Sequence, residues 1–194
     1  IVGGQAPLAT GVAFAIKYRR DPQIIVCYLG DAAMNQGAVF EAMNMAEVWK
    51  LPVLFIIENN LYGMGTAISR TTSVSTLTKR AHAFDMEHSQ IDASNVLTVI
   101  EHTQHIVNQM KKNPKPYLLE AMTYRYKGHS VSDPATYRTK EELESYKQKD
   151  GISQLEAYLI EQKICDEKEL KAFDKEVKTQ VKENERFADE SEAP

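Results

Sequence analysis

Two stretches of sequence decide the fold: IIVCYLGDAAMN at residues 24–35 and VLFIIENNLY at residues 53–62. Each begins as a short apolar run rich in β-branched residues, which is typical of a strand buried on both faces of a parallel sheet. Each run ends in carboxylate or amide side chains. We therefore predict two neighbouring parallel strands, at residues 23–29 and 53–57, joined by a helix at residues 37–50.

The polar residues at the two strand ends form a candidate metal and phosphate site. Asp31 offers a carboxylate, Asn60 an amide oxygen and Tyr62 a backbone carbonyl, and Mg²⁺ prefers such oxygen ligands together with phosphate oxygens. The amides of Ala32 and Ala33 lie near the start of the predicted helix, where its dipole favours a phosphate. The simpler interpretation is a capping aspartate followed by a surface Asn-Asn turn. The presence of both features across one βαβ unit favours the metal site.

The remaining segments predict an α/β fold with a parallel sheet flanked by helices, followed by a helical tail. We expect an α/β domain at residues 1–138 and a C-terminal helical segment at residues 139–194. Trp49 and Met43 are expected in the core. The other predicted elements are a helix at 7–19, a loop and lid at 61–78, a short helix at 79–84, a helix to 112 capped by Thr98/Glu101, a strand at 117–123, a polar loop at 124–139, and three helices begun by Thr139/Glu142, Ser153/Glu156 and Asp166/Glu169.

Composition is that of an ordinary globular chain, with 43% hydrophobic residues, 26% charged residues and a net charge of −4. Lysine and arginine are scattered, so nucleic acid is not an expected partner. No apolar run approaches the roughly 18 residues of a membrane span. The two cysteines do not suggest a disulfide framework, which favours a reducing compartment. Because the chain begins at Ile1 within what reads as folded sequence, we expect it to be the back part of a longer protein.

The motifs at the strand ends resemble those of a known family. Gly30-Asp31-Ala32, followed after residues 33–58 by Asn59-Asn60, is similar to the thiamine diphosphate motif Gly-Asp-Gly…Asn-Asn. The flanking motifs resemble the alpha subunits of pyruvate dehydrogenases, which are thiamine diphosphate-dependent 2-oxo acid dehydrogenases. These motifs are Asn35-Gln36-Gly37, Trp49-Lys50-Leu51-Pro52, Tyr62-Gly63-Met64-Gly65, Tyr124-Arg125-Tyr126, Gly128-His129-Ser130 and Ser132-Asp133-Pro134.

The resemblance implies a thiamine diphosphate-binding fold and a role for each matching residue. One departure is that Ala32 stands where the family has glycine. Its methyl group is expected to crowd the diphosphate, and a positive φ there would cost about 1 kcal/mol or more. The implied roles are Mg²⁺ ligation by Asp31, Asn60 and the Tyr62 carbonyl, diphosphate contact by Ala32 and Ala33, contact with the aminopyrimidine side by Val2, and an active-site role near the diphosphate and reacting centre for His129.

The implied activity is oxidative decarboxylation of pyruvate, with transfer of acetyl to the lipoyl group of dihydrolipoyl acetyltransferase. The resemblance also implies an α2β2 heterotetramer that is active only with its beta subunit, which supplies the glutamate acting on the aminopyrimidine. The implied location is the bacterial cytoplasm or the mitochondrial matrix. The alternatives are an acetoin or branched-chain 2-oxo acid dehydrogenase alpha subunit, or a non-catalytic fragment that serves only assembly.

The polar loop carries residues with simpler interpretations as well. His129 without its flanking motif reads as an exposed loop histidine. Ser130 and Ser132 match a loop that is phosphorylated in mitochondrial relatives, although turn capping is the default role. Arg125 and Arg138 are expected either to anchor the loop or to meet acidic groups, and structural pairing is the favoured role.

Overall fold

The computed structural model describes residues 1–193 and divides into two compact units, Ile1–Lys149 and a second from Asp150 onward. The domain boundary at residues 138/139 stays a prediction. The helices and strands of the first unit are α1 (Gln5–Arg19), β1 (Ile25–Gly30), α2 (Gly37–Val48), β2 (Val53–Asn59), β3 (Tyr62–Gly63), β4 (Thr66–Ala67), β5 (Glu87–Asp92), α3 (Val96–Lys112), β6 (Tyr117–Met122) and α4 (Lys140–Lys147), and those of the second are α5 (Gly151–Glu161) and α6 (Glu167–Glu190).

The main sheet has four parallel strands in the order β1-β2-β6-β5. This confirms the predicted α/β class with a parallel sheet. The register pairs Gly30 with Glu58, and Glu58 with Ala121. The carboxyl ends of β1, β2 and β6 therefore meet at one edge, which is where open α/β sheets place their ligands.

Two apolar clusters cover the two faces of this sheet. On one face, Phe55 and Ile57 of β2 pack in one cluster with residues of α1 and α2. On the other face, Leu54 and Ile56 pack with Ile106 and other residues of α3. Alternate residues of one strand point to opposite faces, so the continuous apolar run of β2 belongs to a strand covered on both sides.

The prediction that the first strand is buried on both faces was wrong. Tyr28 in β1 is 57% exposed, because β1 is an edge strand and α3 contacts the opposite edge strand, β5. The prediction of a core tryptophan was also wrong, whereas Met43 is fully buried. Trp49 follows the last turn of α2, is 43% exposed, and meets the ring of Phe14 edge-on at 5.4 Å.

Helices α3 and α5 begin three residues earlier than predicted, because stronger N-cap residues precede the predicted ones. Asn95 caps α3 by accepting from Leu97 and Thr98, and Asp150 caps α5. Short Asn and Asp side chains are among the best N-caps, so a Thr or Ser three residues later falls inside the helix. The predicted caps of α4 and α6, Thr139 and Asp166, are confirmed, and α6 has a complete capping box.

Strand β5 was missed, since its sequence EHSQID contains only Ile91 as an apolar residue. It pairs with β6 at the edge of the sheet, where a polar strand is tolerated. Among residues 1–193, no helix is both long and apolar enough to cross a membrane.

Candidate functional site

Asp31 lies immediately after β1 and is 3% exposed. Its Oδ1 accepts a hydrogen bond from the Ala32 amide at 2.8 Å and thereby caps a 3₁₀ helix at Ala32–Asn35. Its Oδ2 is buried and has no hydrogen-bond partner in the described structure. Burial raises the pKa of Asp31, while the amides of Ala32 and Leu61 and the charge of Arg125 partly offset that rise.

The end of β2 forms a tight turn beside Asp31. Asn59 is buried, and its Oδ1 accepts from the Leu61 amide at 3.0 Å. The Oδ1 of the half-buried Asn60 accepts from the Tyr62 amide at 3.1 Å. Since an amide oxygen has two lone pairs, Asn60 retains acceptor capacity for a cation.

The same turn also contains a residue with a strained backbone. Leu61 has a φ of +72°, in the left-handed region that costs a leucine about 1 kcal/mol or more. This conformation directs the chain from β2 into the short hairpin of β3 and β4, in which Tyr62 pairs with Ala67. Strain held by surrounding contacts is a common feature of ligand sites.

Ala32 adopts no positive φ, so the expected backbone penalty does not arise. Its methyl group faces Gly63, where an added Cβ would lie 2.5 Å from the Ala32 Cβ. The hairpin glycine thus leaves room for the methyl group. Because the Ala32 amide donates to Asp31, that amide is already engaged before any diphosphate binds.

The segment containing Val2 lies beside the end of the 3₁₀ helix. Gly3 has a φ of +78°, and a Cβ there would lie 3.1 Å from the Cβ of Gln36, which follows that helix. Val2 itself is 65% exposed. Val2 is therefore exposed, and its neighbour Gly3 is the residue that lies against Gln36.

His129 is held by one carboxylate within its own loop. Asp133 Oδ2 accepts from the His129 amide at 2.9 Å and lies 2.7 Å from its Nδ1. The same oxygen accepts from Tyr137 at 2.8 Å, and Oδ1 accepts from the Ala135 amide. These donors hold the pKa of Asp133 well below its usual range. An ionised Asp133 favours the tautomer of His129 with the proton on Nδ1, which leaves Nε2 free to face a ligand.

Arg125 links the histidine loop to the hairpin. Its Nη2 donates to the Met64 carbonyl at 2.6 Å and to the hydroxyl of Tyr137 at 2.9 Å. Arg138 donates to two carbonyls of the same loop, those of Arg125 and Tyr126. The predicted anchoring role of both arginines is therefore confirmed.

Glu142, in the first turn of α4, joins the hairpin to the polar loop. Its carboxylate accepts from the hydroxyl of Tyr62 at 2.9 Å and from that of Tyr124 at 2.9 Å. Burial first, and then Glu142, raises the pKa of Tyr62 to about 12. A groove of about 660 Å³ lies along this region, lined by residues between Tyr126 and Leu143, including Lys127, Arg138 and Lys140.

The sequence analysis did not predict the organising roles of three carboxylates: Glu120, Asp133 and Glu142. Glu120 interrupts the apolar strand β6, and a charge in a buried strand is a signal that a sequence reading can use. Asp133 and Glu142 lie in polar segments, where one carboxylate does not stand out from its neighbours.

The donor set fits a hard divalent cation that also binds a diphosphate. Asp31 provides a buried, unpaired carboxylate oxygen, and an unpaired buried anion is costly unless a cation or proton joins it. Within residues 1–193, no three His, Cys, Asp or Glu side chains converge as a metal cluster. A site here therefore relies on one carboxylate with an amide and a carbonyl oxygen, which leaves positions for phosphate and water.

Comparisons with known proteins all indicate the same family. The model of the family described as "Dehydrogenase E1 component" matches residues 1–194. The chain is 42% identical over its whole length to a pyruvate dehydrogenase E1 component subunit alpha of Rickettsia bellii, covering 60% of that protein. It is 43% identical to the protein of that name from Zymomonas mobilis, covering 55%, and 43% identical over 97% of its length to the mitochondrial testis-specific form of Rattus norvegicus, covering 48%.

The chain thus spans between about half and three-fifths of the length of these relatives. The family model, by contrast, extends over the whole chain, including both strand ends of the candidate site. The chain belongs to the dehydrogenase E1 component family.

Proposed function

We propose that this chain belongs to the alpha subunit of a thiamine diphosphate-dependent pyruvate dehydrogenase. The observation that carries the proposal is the buried, unpaired Oδ2 of Asp31 at the carboxyl edge of a parallel sheet, beside the Asn59–Tyr62 turn. The names of the similar proteins support pyruvate as the substrate. We propose transfer of the acetyl product to the lipoyl group of an acyltransferase.

The proposed ligands of Mg²⁺ are Asp31, Asn60 and the carbonyl oxygen of Tyr62. Asp31 supplies the single negative charge, and its burial strengthens its attraction to a cation. Ala32 and Ala33 lie in the 3₁₀ turn that follows Asp31, and we place the diphosphate against them.

When bound, thiamine diphosphate supplies the carbon nucleophile and electron sink that decarboxylation of a 2-oxo acid requires. The chain's own residues bind, orient and exchange protons. His129, with its Nδ1 fixed by Asp133, presents Nε2 as a hydrogen-bond donor or acceptor toward phosphate or substrate. Val2 is proposed to contact the aminopyrimidine side.

A beta subunit is the proposed partner in an α2β2 heterotetramer. Several apolar side chains of α1 are exposed, among them Leu8 at 72% and Tyr18 at 81%. Exposed apolar surface of this kind is typical of a protein–protein interface. We propose that the beta subunit also supplies the acid–base residue acting on the aminopyrimidine.

The test is reconstitution of the full-length alpha chain with its beta subunit, thiamine diphosphate and Mg²⁺. Steady-state turnover is measured with pyruvate, acetoin and branched-chain 2-oxo acids in parallel. We expect the largest kcat/KM with pyruvate, and loss of turnover in Asp31→Asn. A preference for acetoin or a branched-chain acid would reassign the substrate, and binding without turnover on any of them would identify an assembly module.

A further inference from the structure

Glu120 is a fully buried carboxylate in the middle of an apolar strand. Its oxygens accept from Asn59 Nδ2 at 2.7 Å, from the Leu77 amide at 3.1 Å and from the Thr78 amide at 3.2 Å. Burial of an ion is costly, and these donors offset that cost. Glu120 therefore binds the end of β2 to the start of a distant segment.

That segment is a 3₁₀ helix at Leu77–Phe84. It is also attached to the rest of the site through the side chain of Arg80. The guanidinium of Arg80 donates to the carbonyl of Met34 and, at 2.6 Å, to Oδ1 of Asn35. It also lies 5.4 Å from the centre of the Phe40 ring, which fixes its direction. Arg80 thus forms hydrogen bonds with the two residues that directly follow Ala32 and Ala33.

The helix at Leu77–Phe84 consequently bridges the two halves of the candidate site. Through Glu120 it is attached to Asn59, the neighbour of Asn60. Through Arg80 it is attached to Met34 and Asn35, in the turn that Asp31 caps. Neither charged side chain is one of the proposed ligands, so any effect on binding is transmitted through the two turns.

We propose that Glu120 and Arg80 are positioning residues. They set the affinity of the site for the Mg²⁺–diphosphate group by holding its two turns in a fixed position relative to each other. This rests on the proposed function. The bridge couples binding to the order of the helix at Leu77–Phe84: a bound group holds both turns, and an intact helix pre-organises them.

Glu120→Gln tests the anionic end with almost no change in volume. A glutamine keeps one acceptor oxygen and turns an N–H toward groups that are themselves donors, so at least one of the three bonds is lost. Arg80→Met tests the cationic end and keeps an apolar side chain against Phe40. Because Arg80 is only partly buried, this second variant remains informative if Glu120→Gln fails to fold.

The first measurement is calorimetric titration of thiamine diphosphate with Mg²⁺ into the full-length chain assembled with its beta subunit. We expect each variant to raise the apparent Kd by about tenfold or more. The value of kcat, measured by turnover at saturating cofactor, should stay that of the wild type. The control is Met110→Ala, which removes buried volume under α3 in the other apolar cluster. An unchanged Kd in both variants, or an equal rise in Met110→Ala, would overturn the proposal.

The second measurement is hydrogen exchange of the same variants without cofactor, which does not depend on the proposed activity. We expect Glu120→Gln to speed exchange at residues 59–62 and 77–78, and Arg80→Met to speed exchange at residues 33–36. Exchange unchanged at both turns would refute the bridge even if the wild type binds cofactor. If the wild type binds no cofactor while both variants still exchange faster than the wild type at these turns, the bridge stands and the proposed function is refuted.

Discussion

The Cβ of Ala32 lies so close to Gly63 that only glycine fits at position 63. A Cβ added at Gly63 would lie 2.5 Å from the Cβ of Ala32. The two residues belong to the two halves of the candidate site, the turn after β1 and the hairpin after β2. Alanine at position 32 and glycine at position 63 therefore form a complementary pair in this chain.

Gly63→Ala is predicted to lower the free energy of unfolding by about 1–3 kcal/mol through overpacking. The double variant Ala32→Gly/Gly63→Ala should recover most of that loss, since the colliding methyl group is gone. Chemical denaturation of the four proteins gives the coupling between the two positions. Gly37→Ala is a matched control, because a Cβ there meets nothing within 4 Å. Additive effects of the two changes would contradict the pairing.

Asp31→Asn is predicted to raise the free energy of unfolding at neutral pH when no Mg²⁺ is present. Burial raises the pKa of Asp31 above its ordinary value of 3.8, so the native state holds this proton more tightly than the unfolded chain. The ionised group therefore costs stability as pH rises from that ordinary value through the raised native value, and the cost persists above it.

Denaturation of wild type and Asp31→Asn between pH 3 and pH 8 measures this difference. The advantage of the variant should shrink as pH falls and vanish below both pKa values. Addition of Mg²⁺ with thiamine diphosphate should stabilise only the wild type. A variant that is less stable than the wild type at every pH would show that the carboxylate is structural.

Asp133→Asn is predicted to reduce turnover by at least about tenfold, because Nδ1 of His129 loses the anionic acceptor that fixes its tautomer. Limited proteolysis should also cut the loop at residues 124–139 faster. Val131→Ala, at a fully exposed position in the same loop, serves as the control. Wild-type kcat/KM in Asp133→Asn would remove His129 from the proposed machinery.

Glu142→Gln is predicted to lower the pKa of Tyr62 from about 12, because burial still raises it but the charge of Glu142 no longer does. Absorbance of the phenolate during alkaline titration reports this pKa, and Tyr62→Phe identifies its signal. Glu144→Gln is the control, because that carboxylate pairs only loosely, at 3.6 Å, with Lys147 on the same helix. An unchanged titration would mean that Glu142 does not hold the hairpin in solution.

Local sequence predicted the elements that carry Asp31 and Asn60. The apolar runs of β1 and β2 end abruptly in polar residues, and parallel strands place their carboxyl ends together. Local sequence does not predict burial where burial depends on a strand's position in the sheet. Tyr28 lies in an apolar stretch that favours a strand, but its strand is at the edge of the sheet. The polar β5 is a strand only because β6 pairs with it.

The links between the turns were beyond local patterns. Glu120 meets a partner 61 residues away in Asn59 and another 42 residues away in Thr78. Arg80 reaches Met34 across 46 residues. Such contacts follow from the tertiary arrangement, whereas the bond of His129 to Asp133 spans only four residues and lies within one loop.

Asp31 and Asn60 are the proposed ligands of Mg²⁺, and through it of the diphosphate of thiamine diphosphate. The most direct test of this assignment is calorimetric titration of thiamine diphosphate and Mg²⁺ into the full-length chain assembled with its beta subunit, as wild type, Asp31→Asn and Asn60→Ala. We predict saturable, Mg²⁺-dependent binding by the wild type, none detectable in Asp31→Asn and weakened binding in Asn60→Ala. Equal, Mg²⁺-dependent affinity in all three proteins would contradict the assignment.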